Sequence, residues 1–263
     1  MKTQMHNTEI KSKKLIIFDL DGTLALSKSL MDSEMALLLL ELLKEKSVAV
    51  ISGGGFPQFE KQFLKALNAE SKQADFSKLF IFPTCSTSFY RYNSEAWEKV
   101  YENVLRPEEK EKIFSAFQQV FQETGYVHPE KTYGEVIEDR NSQITFSALG
   151  QSAPLELKET FDPTTEKRKK LQEHLQEKLP EFSVRIGGST SLDVTKKGID
   201  KAYGISKIQE QLSFKKEEML FLGDALFPGG NDYPVISTGV DCMQVKDPEE
   251  TKEIIRILIN KQH

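Results

Sequence analysis

The stretch "FDLDGT", Phe18 to Thr23, sets two aspartates one residue apart at the end of an apolar run. In an extended chain residues i and i+2 point to the same side, so Asp19 and Asp21 are expected to face one space at a sheet edge. Two carboxylates that close do not both ionise cheaply. Either they share a proton, which needs a raised pKa, or a hard cation such as Mg²⁺ neutralises them through oxygen ligands. "FLGDALFPGGNDYP" supplies further oxygens at Asp224 and Asp232, with Asn231 beside them, and four carboxylates on two strand ends favour the metal. "VISGGGF" adds Ser52, a hydroxyl followed by three glycines whose backbone amides can approach an anion closely. Lys201 is the candidate cation. Mg²⁺, a hydroxyl, glycine amides and a lysine together offer what a phosphoryl group needs: charge neutralisation and fixed donors around its oxygens. An EF-hand calcium loop is set aside, because Gly22 comes too early for its D-x-D-x-D-G order.

The elements that must position these groups are short apolar runs. "LIIF" (15–18), "SVAVIS" (47–52) and "MLFLGD" (219–224) read as buried parallel strands, each ending where chemistry can sit. "SEMALLLLELLKEK" and "GIDKAYGISKIQEQLS" read as helices between them. Alternating strands and helices predict an α/β fold with a doubly wound parallel sheet, in which ligands bind at the carboxyl ends of the strands. The middle of the chain differs. Helices are expected around 95–105 and 108–123, then "GEVIEDRNSQITFSALG" as two strands joined at Asn141-Ser142. A helix around 165–179 follows, then the strand-like "FSVRIGG" and "TSLDVT". This order predicts an α+β domain with an antiparallel sheet, residues 85–187, inserted into a core of residues 1–84 and 188–263. In "EKRKKLQEHLQEK" bases alternate with acids while Leu171, Leu175 and Leu179 recur every four residues, which is an amphipathic helix rather than a nucleic-acid patch.

With 263 residues, 29% charged residues and a formal net charge of -5, the chain reads as an ordinary soluble, mildly acidic protein, so nucleic acid and anionic membranes are not favoured partners. Its two cysteines, Cys85 and Cys242, lie outside any CxxC pattern, which fits a reducing cytoplasm. No signal segment is expected in "MKTQMHNTEIKSKK", and "MALLLLELL" is too short to span a bilayer. The four histidines, His6, His128, His174 and His263, read as surface residues.

"FDLDGT", "VISGGG", Lys201 in "KKGIDKAYG" and "GDALFPGGND" resemble, in order and spacing, the four motifs of the haloacid dehalogenase superfamily. The long insert between the second and third motifs resembles the α+β cap of its IIB branch. Within that branch the whole chain is similar to the eukaryotic-type phosphomannomutases, with "IEDRNSQITFSALGQ" and "GGSTSLDV" matching their phosphate- and sugar-binding stretches. The resemblance implies Asp19 as a nucleophile forming an aspartyl-phosphate and Asp21 as the general acid/base. It implies that Ser52 and Lys201 hold the transferring group, and that Asp19, the Asp21 carbonyl, Asp224 and Asp232 bind Mg²⁺. Substrate contacts would come from Arg140, Ser191, Asp193, Lys28 and Asn231, on a phosphorylated sugar. With the core site at strand ends and substrate-binding groups on the insert, the cap is expected to close over substrate through hinges near 83–86 and 187–189, and the likeness to the mutases implies dimerisation through the cap. Three positions depart from it. Gln151 and Lys28 stand where the family has arginine, and Asp139 where it has an aromatic residue. A neutral amide loses a bidentate charged pair, about 1–3 kcal/mol. The reading is therefore a Mg²⁺-dependent phosphatase of phosphorylated sugars or similar small metabolites. The alternative is a phosphohexomutase. The intact Asp19 and Asp21 argue against a non-catalytic sugar-phosphate binder.

Overall fold

In the apolar runs every hydrophobic residue is buried, because alternate side chains serve opposite faces of the sheet and both faces are covered. Ile16, Phe18, Val48, Val50, Leu220 and Leu222 join one core cluster. Leu15, Ile17, Ala49, Ile51, Met219 and Phe221 join another on the opposite face. The computed structural model describes residues 7–27, 29–71 and 74–259. In chain order its strands are β1 (Leu15–Asp19), β2 (Ser47–Ile51), β3 (Leu79–Phe82), β4 (Ser88–Tyr92) and β5 (Trp97–Glu102). Next come β6 (Ile137–Asp139), β7 (Ile144–Ser147), β8 (Phe182–Ile186) and β9 (Ser191–Lys196), and finally β10 (Met219–Gly223) and β11 (Asp241–Gln244).

The chain divides into two units, Met1–Glu102 with Asp200–His263, and Asn103–Ile199. The first holds a seven-stranded sheet in the order β11-β10-β1-β2-β3-β4-β5. Its first five strands are parallel and β4 and β5 are antiparallel additions at one edge. From β1 the chain winds through β2 and β3 to one side, and later through β10 and β11 to the other. β1 and β10 therefore flank the topological switch point. The helix Ser33–Glu45 returns the chain from β1 to β2, capped by Asp32, whose carboxylate accepts from Met35 N at 2.8 Å. Burial opposes ionisation of Asp32, but the Met35 N–H and the Lys252 ammonium outweigh it and lower its pKa. A lowered carboxyl stabilises the fold above its unfolded value, about 3.9, and the contribution is lost as pH falls through the folded value. Asp32→Ala is expected to cost about 1 kcal/mol at pH 7 and measurably less at pH 3, as read by urea denaturation at the two pH values.

The second unit holds a four-stranded antiparallel sheet in the order β6-β7-β9-β8. Ile144, Phe146, Leu192 and Val194 pack with Ile113 and Phe117 of the helix Pro107–Thr124 and with Leu171 and Leu175 of the helix Glu166–Lys178. The alternate residues, Thr145, Ser147, Ser191 and Asp193, give the other face of the sheet a polar surface.

Three expectations need correction. The helix expected over 95–105 is the strand β5, because Trp97 packs beside Phe56, Phe76 and Tyr92, and Tyr101 beside Phe89, in a two-strand register with β4. The boundaries of the insert move as well. Residues 88–102 pair into the large sheet, while β9 lies between β7 and β8, so the insert spans 103–199 instead of 85–187. Both expected hinges lie inside a unit and are tied down. Gly187 and Gly188 offer their carbonyls to Arg168, whose guanidinium is buried against Asp162. Thr84 N donates to Gly54 O and Cys85 N to Ser52 O, both at 2.9 Å. Among the described residues no helix is long and apolar enough to cross a membrane.

Candidate active site

β1 pairs with β10 on one side and β2 on the other, so the loops leaving these three strands lie side by side. Asp19 is the last residue of β1, Ser52 follows β2 and Asp224 follows β10. Lys201 opens the helix Lys201–Leu212, which is capped by Asp200 accepting from Tyr203 N. Its ammonium donates to Asp19 Oδ1 at 2.6 Å and pairs with Asp232 Oδ1. Asp232, fully buried, also accepts from Ala225 N at 2.9 Å. Asp224 N donates to Thr23 Oγ1 at 3.1 Å, so the threonine of "DGT" ties the loop after β1 to the loop after β10. Two glycines make the carboxylate packing possible. A Cβ at Gly22, which has φ +91°, would overlap the Asp224 carboxylate, and one at Gly223 would overlap that of Asp232.

Asp19, Asp224 and Asp232 each offer an oxygen, and these oxygens lie within 4.8 Å of one another. Burial raises the pKa of Asp19 well above the ordinary carboxylate range. Lys201 pulls it down, and Asp232 and Asp224 push it up again. Burial, then Asp232, pushes Asp224 up to about 6. Burial alone would lower the pKa of Lys201, but Asp19 and Asp232 outweigh it and hold the ammonium charged. Three carboxylates against one ammonium leave the ionised cluster at −2, and Asp19 Oδ2 is buried with no hydrogen-bond partner among the described residues. Hard oxygen donors, an excess of two negative charges and an orphaned oxygen fit a divalent cation of the Mg²⁺ kind.

The remaining expectations divide. The carboxylate of Asp21 is turned to Gln58 and Gln62 rather than into the three-aspartate cluster, so any part it plays in metal binding falls to its backbone carbonyl. Ser52 is buried one residue beyond Ile51, the register partner of Asp19, and its hydroxyl accepts from Gly54 N at 3.1 Å, closing the "SGGG" loop on itself. Asn231 is exposed. Lys28 lies outside the described residues. In the insert, Ser191 Oγ lies 3.0 Å from Ser147 Oγ, and Ser147 Oγ accepts from Gln151 Nε2 at 2.8 Å. Asp193 Oδ1 accepts from Gln143 Nε2 at 2.9 Å and from Thr145 Oγ1 at 2.8 Å. Arg140 donates through Nε to Glu138 Oε2 at 2.8 Å, and Asp139 pairs with Lys110 at 2.8 Å. Glu138, Thr145, Asp193 and Arg185 are successive register partners across the sheet, so they share its polar face. Lys158, buried, donates to the Gln151 carbonyl at 3.3 Å. Sequence reasoning missed Gln58, Gln62, Thr23, Arg185 and Lys158. The spacing of the two glutamines, four apart just after the glycine loop, was the only signal for that pair.

Residues 35–261 match the family model described as eukaryotic phosphomannomutase. The chain belongs to the eukaryotic phosphomannomutase family. Within this family the phosphomannomutase of Saccharomyces cerevisiae is 27% identical to it over 256 residues, which cover 95% of this chain and 96% of the yeast one. That of Encephalitozoon cuniculi is 27% identical over 246 residues, 91% of each chain. Two solved phosphatases share the fold. An IMP-bound, N-terminally truncated Plasmodium falciparum IMP-nucleotidase superposes with a TM-score of 0.68 at 15% identity, covering 96% of this chain and 71% of the other. Aspergillus fumigatus trehalose-6-phosphate phosphatase superposes at 0.57 and 15%, over 99% of this chain and 100% of the other. The fold of this eukaryotic phosphomannomutase family member is that of the haloacid dehalogenase superfamily, and the chain is an enzyme of that type.

Proposed function

We propose that the protein is a Mg²⁺-dependent phosphatase of phosphorylated sugars or similar small metabolites. The observation that carries this reading is Asp19 Oδ2, an orphaned carboxylate oxygen whose sister oxygen is held by Lys201. That oxygen attacks phosphorus, the ester P–O bond breaks, and the departing alkoxide takes a proton from Asp21. Water then attacks the phosphorus of the aspartyl-phosphate and gives its proton to Asp21. The acyl P–O bond breaks, releasing inorganic phosphate and the free Asp19 carboxylate. Lys201 and the amides after Ser52 offset the charge on the transferring group. Asp19, Asp224, Asp232 and the carbonyl of Asp21 would hold Mg²⁺, which supplies charge neutralisation at the phosphoryl oxygens when bound. The hydroxyls and carboxylates of the polar sheet face, Ser191 and Asp193 among them, suit sugar hydroxyls, and Arg140 and Arg185 suit an anionic substituent. Hydrolysis is the first reading because Gln151 places a neutral amide, engaged with Ser147, where a mutase needs a second anion site.

A second reading, phosphohexomutase, is supported by the family match and by Lys158, which brings a cation to the Gln151 loop. It carries with it dimerisation through the insert, which sedimentation velocity reads directly. The two separated thiols suit a reducing compartment such as the cytoplasm. ³¹P NMR of the protein with Mg²⁺ and a panel of hexose phosphates, with and without a hexose bisphosphate, decides between them. Growth of the inorganic phosphate signal is the result expected. Migration of phosphate between the 1- and 6-positions without hydrolysis overturns the phosphatase reading, and the absence of both overturns the two together.

A further inference from the structure

A group that gives and takes a proton at a reacting oxygen works only if its carboxyl is held at a fixed distance and angle. For Asp21 that hold comes from the segment after the glycine loop. Gln62 Nε2 donates to Asp21 Oδ1 at 2.9 Å and Gln58 Nε2 donates to Asp21 Oδ2 at 3.2 Å. Gln58 Nε2 also donates to Gln62 Oε1 at 2.9 Å, so the two amides brace each other. Donors on both carboxylate oxygens fix the plane of the group as well as its position, which a single bond cannot do.

The backbone is built to present this pair. Glu60–Leu64 is a π-helical turn, a local insertion that re-aims side chains and is frequent at functional sites. Phe59 and Phe63, buried on either side of Gln62, anchor the turn, and Met31 N donates to Gln62 O at 2.9 Å. Gln62 itself is only 3% exposed, an unusual place for an amide whose partner is a carboxylate on another segment. A Cβ on Gly54 would overlap the amide end of Gln58. The middle glycine of "SGGG" is thus the opening through which Gln58 reaches Asp21.

We propose that Gln58 and Gln62 are positioning residues for Asp21, acting on the leaving oxygen and on the attacking water only through it, with Gly54 providing the space. The proposal rests on the reading of Asp21 as the proton donor and acceptor. The test compares kcat/KM, which reads the steps up to phosphoryl transfer to Asp19, on two substrates. Hexose 6-phosphate leaves as an alkoxide that needs a proton, and p-nitrophenyl phosphate leaves without one.

Gln62→Met and Gln58→Met keep side-chain length and remove the donors. Each is expected to lower kcat/KM on hexose 6-phosphate roughly 10- to 100-fold and on p-nitrophenyl phosphate by no more than about threefold. In an Asp21→Asn background Gln62→Met is expected to add less than about twofold on either substrate. Equal losses on the two substrates, or the full loss repeated in the Asp21→Asn background, overturn the positioning role. If Asp21→Asn alone shows no dependence on the leaving group, it is the underlying reading of Asp21 that fails. Where a methionine variant does not fold by circular dichroism, Gly54→Ala gives the same answer, because it displaces Gln58 and leaves both glutamines in the chain. A loss selective for hexose 6-phosphate supports the proposal and an unselective one overturns it.

Discussion

Asp19→Asn is expected to lower kcat by at least about 10⁴-fold while leaving Tm in Mg²⁺-free buffer at or above that of the parent protein. The loss follows because the amide that replaces the carboxylate cannot form the acyl-phosphate. The gain in stability follows from the sign of the pKa shift. Burial and the neighbouring carboxylates raise Asp19 above its unfolded value, so its ionised form at pH 7 opposes folding. That opposition is absent below about pH 4, where the unfolded chain is also protonated, so the difference in Tm is expected to narrow as pH falls. Phosphate release and scanning calorimetry at two pH values check both halves. Activity within tenfold of the parent excludes Asp19 as nucleophile, and a lowered Tm at pH 7 excludes the excess of negative charge.

Lys201→Met is expected to have the largest effect on stability. It removes the ammonium that pairs with Asp19 and Asp232 in a fully buried setting and leaves three clustered carboxylates uncompensated. Breaking a buried pair by deleting one partner costs about 3–5 kcal/mol, which lowers Tm by roughly 6–20 °C at this chain length. Mg²⁺ in large excess is expected to raise the Tm of the variant more than that of the parent, since a ligand at a hundred times its Kd contributes about 2.7 kcal/mol to the folded state. Calorimetry with and without Mg²⁺ reads the comparison. An unchanged Tm in the variant would mean that the carboxylates do not depend on Lys201.

The charged part of the site was legible because charge at the end of an apolar run is rare and must be accounted for. Asp19 and Asp224 announce themselves in this way, while Asp232 was picked out only by its place after "FLGD"; of the four carboxylates expected to gather, Asp19, Asp224 and Asp232 lie together. Asp21 was legible as a residue but not in its orientation, because the pleat places a side chain on a face and the loop beyond β1 then turns it. Gln58 and Gln62 carry no charge and sit in a helix-forming stretch, so nothing in their chemistry singled them out. The strand β5 was misread because Trp97, Tyr101 and Val104 recur at helical spacing, while aromatic packing on the neighbouring β4 decides the conformation. The boundary at β9 was misplaced for a related reason. A strand's sheet membership depends on which partner it finds across a long stretch of chain, and local pattern holds no record of that.

The position of β1 between β2 and β10 also bears on how the protein comes into being. Lys201 meets Asp19 across 182 residues of chain, and Asp224 and Asp232 lie farther still. During synthesis β1, β2 and β3 can pair as soon as they emerge, but the charge cluster stays unassembled until the last quarter of the chain is made. The insert, with an apolar core of its own, occupies most of that long connection and, once folded, shortens the stretch that must close. The cluster of Lys201 with Asp19, Asp224 and Asp232 therefore assembles only after the strands β1, β2 and β3 that frame it.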